Sequence, residues 1–444
     1  MKESLRQAIL ELGKLSLPVF CVQIALMGNA VVDTIMAGQK SAVDLAAIGI
    51  GTTIYITAFV ILNGLFLASP PMFAKIYGAG EFRKLGQAFV QVSWVSMLIA
   101  TPCAVILWNA GMIVPWMTES AETTLLVEQY LKGGAVALPA ILWFRVFYAL
   151  STALGHPFWV VVINGGAVLL KIAINGSLMY GIGSVIPPLG AAGCGVALAI
   201  VSWMAALLSV LVLLRAPAYV GLMITLKRPE GKAIREFIRH GAPISIMQAA
   251  EIGSVAAVGT LAAKLGDLAV GAHQIAMNIA TLLFMAPLAV SLSMCVLVAR
   301  SIGEGNSERS ACYSAAGAIA IAVCALVASL STLSFHTSLG LLYTQDQELA
   351  AVADRLIIMI ALIVPLDGCQ VYYVFLLRAY SFTVAATIVS VSARLGIGVF
   401  AGYLMAFNTS DLGVEGLWIG IAIGLICAVI ALAGYSRQKL GRWY

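Results

Sequence analysis

Two long apolar stretches each carry one carboxylate near their middle. Glu251 lies within HGAPISIMQAAEIGSVAAVGTLAAK, and Asp367 lies within LIIMIALIVPLDGCQVYYVFLL. At 1.5 Å of helix rise per residue, Asp367 sits roughly 16 Å and Glu251 roughly 20 Å into its span. Both therefore fall near the middle of a hydrocarbon layer about 30 Å thick. A charge at that depth costs about 2.5–3.5 kcal/mol on insertion scales, so such residues usually face a cavity and handle ions or substrate. Ser245, Gln248, Glu251 and Ser254 recur every three residues and share one helix face. Gln370 is about one turn beyond Asp367, and Gln274, Asn278 and Thr281 form another polar stripe. Together these oxygens suit a hard-cation cage or a proton relay. The alternative is a pair of carboxylates kept for packing.

A third carboxylate, Asp33, stands in GNAVVDTIMAG with Asn29 one turn before it. It reads as a cation or substrate ligand, or as a helix-end residue at the headgroup boundary. Three cations also lie inside apolar spans: Arg145, Lys171 and Arg394. Arg145 and Arg394 are expected to snorkel or to meet backbone carbonyls. Lys171 is too deep for that and is a candidate counter-ion to Asp33, against a purely structural role.

The elements that carry these residues follow from composition. The 444 residues are 61% hydrophobic and only 10% charged, against about 25% charged in soluble domains. The chain is expected to be an all-α integral membrane protein. Twelve runs are long enough to cross a bilayer, near 15–37, 46–71, 88–111, 125–150, 157–181, 189–214, 238–263, 269–299, 311–335, 353–377, 382–407 and 413–435. With the N-terminus inside, most Lys and Arg fall on inner segments, including Arg309, Arg378, Arg442 and the basic stretch Arg215–Arg239. The outer segments hold only Lys40, Lys132, Lys264 and Arg355, beside acids such as Glu119, Glu128, Asp411 and Glu415. This asymmetry predicts cytoplasmic N- and C-termini. No cleavable signal peptide is expected, because MKESLRQAILELGK is charged and amphipathic and leads into a full span.

The halves resemble each other at an offset near 225. Pro18, Gln23 and Gly28 match Pro243, Gln248 and Gly253. Ala74-Lys-Ile-Tyr-Gly-Ala-Gly80 matches Ala299-Arg-Ser-Ile-Gly-Glu-Gly305, and Pro139 matches Pro365. Two six-helix lobes are expected, residues 1–220 and 221–444. Because six is even, they are parallel repeats about an axis along the membrane normal, with substrate between them and alternating access by rocking. Pro18, Pro139, Pro243 and Pro365 fall inside spans and are expected to kink them. His273 and the tryptophans 94, 108, 116, 159 and 418 read as interfacial residues. Asn408-Thr-Ser410 forms a sequon on an expected outer loop.

Other chemistries lack their signatures. The eight cysteines show no CxxC or metal-like spacing and read as small apolar residues. There is no Walker A motif, HExxH or GxSxG, which weighs against ATP hydrolysis as the drive and against an intramembrane enzyme. The net charge of +5 is no nucleic-acid signal, since its location matters more than its sum.

GNAVVDTIMAG, AHQIAMNIATLLFMAPL, PLDGCQVYYVFLLRAY and PPLGAAGCGVALAIV occur in separate spans across both lobes. In these motifs the chain resembles the MATE (multidrug and toxic compound extrusion) family, and its NorM-like subgroup in particular. The resemblance implies a bacterial inner-membrane antiporter, not an enzyme. It would export cationic amphiphiles in exchange for Na⁺ or H⁺ and carry no cofactor. The implied cation-coupling residues are Glu251 and Asp367, which would also ligate Na⁺, together with Asp33. Gln274, Asn278 and Asp33 would contact drug. Its partners would be small cationic or amphiphilic substrates and membrane lipid, acting on a monomer. Where one branch of the family carries Asn-x-x-x-Asp on the fifth helix, this chain has Lys171 and Asn175. That departure favours coupling through Glu251 and Asp367. The basic–acidic pair after the tenth helix is also missing, the chain reading RAYSFT. A lipid-linked precursor flippase of the same superfamily is the alternative. It would want a wide basic cavity. A channel or receptor is disfavoured by central carboxylates on a two-lobe repeat.

Overall fold

The computed structural model describes residues 2–182, 187–222, 224–409 and 412–441; Ser410, Asp411 and Arg442 lie outside the described residues. Among these, twelve helices are long and apolar enough to span a membrane. They are α1 (Ser4–Lys40), α2 (Ala42–Gly78), α3 (Phe82–Trp116), α4 (Ala121–Ala153), α5 (Phe158–Tyr180), α6 (Ala191–Arg215), α7 (Gly231–Lys264), α8 (Asp267–Gly303), α9 (Ser307–Tyr343), α10 (Gln347–Ala379), α11 (Thr383–Asn408) and α12 (Gly413–Leu440). Each expected span is present and several run longer. The charged residues before Ser16 simply continue α1, because a helix satisfies its own backbone whether in lipid or water. Large apolar side chains face outward along many helices, among them Leu169, Leu214, Leu362, Phe400 and Ile430. Such surfaces would drive aggregation in water and suit lipid.

Helix starts are set by local capping. Ser41, Ser120 and Asn306 each accept a backbone N–H three residues on, and Asp346 accepts two. The repeat shows in the turns as well. Gly80 and Gly305, equivalent in the two halves, both take positive φ, +72° and +71°. That backbone favours glycine.

The chain forms two compact units: Cys21–Gly241, and Met1–Phe20 with Ala242–Tyr444. In the first, α4 is the enclosed centre. Its Val127, Tyr130, Leu131 and Ala135 pack with Ala47, Ile48 and Tyr55 of α2 and Cys194 of α6. Gly133 allows α6 to come close, since a Cβ there would fall 2.2 Å from the Gly195 carbonyl carbon. In the second unit, Ala272, Ile275 and Ile279 of α8 pack on Leu356, Ile357 and Ile360 of α10 and on Trp418 of α12. Trp418 is thus core and not an interfacial anchor: it is 2% exposed and stacks edge-on against His273, which is equally buried. The first residues of α1 join this unit through Glu11, which accepts bonds from Arg309 (3.2 Å) and Tyr313 of α9.

Small residues also set the α11–α12 contact. A Cβ on Gly420 would lie 2.3 Å from Gly402 Cα, and one on Gly424 would lie 2.9 Å from Gly398 Cα. This is the close backbone approach that small residues permit in membranes. Pro365 removes one N–H from α10, and the hydroxyl of Ser329 on α9 donates instead to the freed Ala361 carbonyl at 2.6 Å.

Gly420→Val should force α11 and α12 apart and cost about 1–3 kcal/mol. A fall of several degrees in the unfolding temperature in detergent is expected. Gly165→Ala, where a Cβ meets nothing within 4 Å, should leave that temperature unchanged or raise it. Equal behaviour of the two variants would contradict the close-packing account.

Candidate functional site

Each unit holds one charged cluster on its membrane-spanning helices: the first is buried, the second half-buried. In the Cys21–Gly241 unit, Asp33 on α1 faces Lys171 and Asn175 on α5. The Lys171 ammonium meets Asp33 Oδ2 at 2.8 Å and the Asn29 carbonyl at 3.2 Å, while Asn175 Nδ2 donates to Asp33 Oδ1 at 2.6 Å. Lys171 and Asn175 stand one turn apart, so both reach the same carboxylate. Asp33 and Lys171 are each only 2% exposed. The helix-boundary reading of Asp33 does not hold, and Lys171 is its counter-ion. One carboxylate and one ammonium leave this cluster neutral. Asn175 Oδ1 is buried with no hydrogen-bond partner.

The second cluster is built on α7, α10 and α11. Arg394 lies between the two central carboxylates. Its Nη1 reaches Glu251 Oε1 at 3.0 Å, its Nη2 reaches Asp367 Oδ1 at 2.5 Å, and its Nε donates to Gln370 Oε1 at 2.8 Å. The expectation that Arg394 snorkels or meets carbonyls is corrected here: its planar fork of donors satisfies three side chains at once. A π-helical stretch, Ser392–Gly398, carries it. Such insertions redirect side chains and recur at functional sites. Two carboxylates and one guanidinium carry one excess negative charge. Glu251 Oε2 and Asp367 Oδ2 receive no hydrogen bond from the described residues. Beside them a cavity of about 120 Å³ is lined by Asp367, Arg394, Ser254, His273 and Trp418, room for several waters. His273 Nδ1 and Trp418 Nε1 are both buried without a partner.

Other expected residues lie elsewhere. Gln274 and Asn278 sit on the exposed face of α8. Asn278 Nδ2 bonds the Gln274 carbonyl at 2.9 Å, and neither side chain joins the carboxylates. Arg378, read as a cation of an inner loop, is instead buried in the last turn of α10, 4% exposed, over the Phe375 ring. Sequence reasoning missed Gln370's partner and the joint role of Arg394. Its signal was present but unused: a cation deep in a span needs an anion, and only two central carboxylates were available nearby. No group of three or more His, Cys, Asp or Glu with metal-binding geometry occurs among the described residues.

A twelve-helix membrane protein of two repeated units, each with an internal charged cluster, is the architecture of a secondary transporter. The chain matches the MatE family model twice, over residues 18–176 and 243–404, and the two starting points stand at the sequence repeat's own offset. The chain belongs to the MatE family. It is 32% identical to the multidrug resistance protein MdtK of Edwardsiella ictaluri over 94% of this chain and 93% of that protein. It is 30% identical to the multidrug resistance protein NorM of Vibrio cholerae over 96% and 95%. Its fold is that of the Vibrio cholerae MATE transporter VcmN in its bent form, with a TM-score of 0.88 at 18% identity over 99% of each chain.

Removing the ammonium alone should strand a buried carboxylate. Lys171→Met should cost about 3–5 kcal/mol, and Lys171→Met with Asp33→Asn should recover most of it. Thermal unfolding of the purified variants reads the cycle. A single variant as stable as the double would show that Asp33 does not need its partner.

Proposed function

We propose that this protein exports cationic amphiphilic compounds in exchange for Na⁺ or H⁺ by alternating access between two lobes, residues 1–220 and 221–444. The observation that carries the reading is the charge of the Glu251–Asp367–Arg394 cluster. One excess negative charge, half-buried and with Asp367 and Arg394 lining a hydratable cavity, is balanced by one monovalent cation. The relatives named as multidrug resistance proteins support drugs as the cargo.

In the proposed exchange, a proton or Na⁺ arriving from outside takes the free oxygens Glu251 Oε2 and Asp367 Oδ2. Sodium is a hard cation and suits carboxylate and amide oxygens, which Gln370 can add. The cation weakens the hold of both carboxylates on Arg394, because their negative charge is then shared. A ligand shifts a conformational equilibrium only by its differential affinity for the two states. The cluster must therefore bind the cation more tightly in the outward-open form, which favours release of drug. Asp33 plays a different part. Buried and already paired with Lys171 and Asn175, it reaches a coupling ion or substrate only if that pairing opens. Gln274 and Asn278, exposed on α8, suit contact with cargo. In this proposal the protein works in a bacterial inner membrane with both termini cytoplasmic, as a monomer without a cofactor and not as an enzyme.

Proteoliposomes loaded with a fluorescent cationic dye test this. Wild-type protein should exchange dye under an imposed Na⁺ gradient or an imposed pH gradient. Glu251→Gln and Asp367→Asn should each lower that exchange at least about tenfold, the order of effect of losing one charged interaction. Unchanged exchange in either variant would sink the coupling role, and no dye movement under either gradient would sink the exporter.

A further inference from the structure

Between α5 and α6 lies a groove of about 710 Å³ that neither charged cluster uses. Its walls are apolar, with Leu170 on α5 and Leu208 on α6 among them. Small residues keep it open. A Cβ built on Gly166 would meet nothing within 4 Å, and Ala167 and Ala205 line the same walls. Spaces of about 300–1,000 Å³ are those that hold small ligands.

The length of the groove says what fits it. On α5 the lining runs from Trp159 to Leu170, and on α6 from Val201 to Val212. At 1.5 Å of rise per residue each wall is roughly 16 Å long. That is half of a hydrocarbon layer about 30 Å thick. A helix from a second copy or from another membrane protein would cross the whole layer, whereas one lipid acyl chain crosses half of it.

One end of the groove is charged. Helix α6 stops at Arg215, and Ala216 is extended ahead of Pro217, the conformation that a following proline favours. Arg215 lines this end together with Trp159, which stands in the first turn of α5. Arg215 is exposed, and among the described residues its guanidinium has no ion pair and no hydrogen bond. It is the one charged side chain among the described residues that line the groove. Tryptophan and arginine are residues of the headgroup level. In the orientation expected from the charge asymmetry, this end meets the cytoplasmic leaflet, whose surface is negative.

We infer that the α5–α6 groove binds one anionic phospholipid, with an acyl chain along the apolar walls and the headgroup phosphate on Arg215. The unpaired guanidinium selects a net negative headgroup and repels cationic amphiphiles. Leu170 lines the groove while Lys171, the next residue, faces Asp33. The lipid therefore packs on the turn of α5 that presents Lys171 to its carboxylate. The site needs only the membrane-spanning fold and does not rest on the exporter reading.

Delipidated full-length protein is titrated with phosphatidylglycerol or phosphatidylethanolamine of identical chains, and the first lipid bound is followed by native mass spectrometry. The wild type should bind the anionic lipid about fivefold more tightly than the zwitterionic one, the effect of one basic residue at an anionic lipid. Arg215→Gln should bring that ratio to about one. Arg215→Lys should keep most of it, because a point charge still meets a phosphate. Gly166→Leu places a side chain in the open groove and should weaken both lipids severalfold with Arg215 intact. Inorganic phosphate should not displace bound phosphatidylglycerol; displacement by phosphate alone would reduce the site to a bare anion contact and overturn the lipid assignment. A wild-type ratio near one, a ratio that Arg215→Gln leaves unchanged, or binding indifferent to Gly166→Leu overturns it as well. Each of these failures leaves the exporter reading standing, since no transport enters the measurement.

Discussion

Hydrocarbon does not solvate charge, and most of the polar architecture here follows from that. An ionised group inside a bilayer must find an opposite charge, a dense set of hydrogen bonds or a watered cavity. Each compact unit answers this internally. Asp33 has Lys171 and Asn175; Glu251 and Asp367 have Arg394. Replacing one partner of such a cluster is costly, because the survivor is left uncompensated. The clusters therefore fix which faces of α1 and α5 meet in one unit and which faces of α7, α10 and α11 meet in the other.

Two homologous units have met the same constraint with different charge. The Asp33 cluster sums to zero. The Glu251–Asp367–Arg394 cluster sums to minus one. In the proposed exchange that difference assigns the coupling cation to one unit alone, with Lys171 standing permanently where a mobile cation would otherwise be needed. Arg394 is then more than a structural partner. Without it, two carboxylates in one low-dielectric site would repel and resist ionising together; with it, a single cation suffices. Close glycine packing of α11 on α12 and the π-helical stretch around Arg394 hold that guanidinium in place.

Much of this was legible in the residues. Twelve spans follow from apolar run length, and the repeat follows from matched Pro and Gly positions. The carboxylates follow from their rarity in apolar surroundings. The Lys171–Asp33 pairing was open to inference because both are deep and of opposite sign. Arg394 was harder: it lies 24 residues or more along the chain from Gln370 and Asp367, and no spacing rule links residues on different helices. Its direction also depends on a π-helical insertion that a 3.6-residue period does not anticipate. Trp418 was misplaced for a related reason. Tryptophan favours interfaces on average, but here the packing of α12 on α8 decides. Gln274 and Asn278 share the stripe read from sequence, yet it is exposed and no hydrogen bond ties it to the carboxylates, since periodicity gives a face and not what the face meets.

The account turns on one number, the count of cations exchanged per substrate through the Glu251–Asp367–Arg394 cluster. Proteoliposomes clamped at a series of membrane potentials, with a fixed cation gradient and a permanently divalent cationic dye, give that count from the potential at which net dye flux reverses. A value of one cation per dye is expected, matching the single excess charge of the cluster. A value of two or more, or a flux indifferent to the cation gradient, would contradict it.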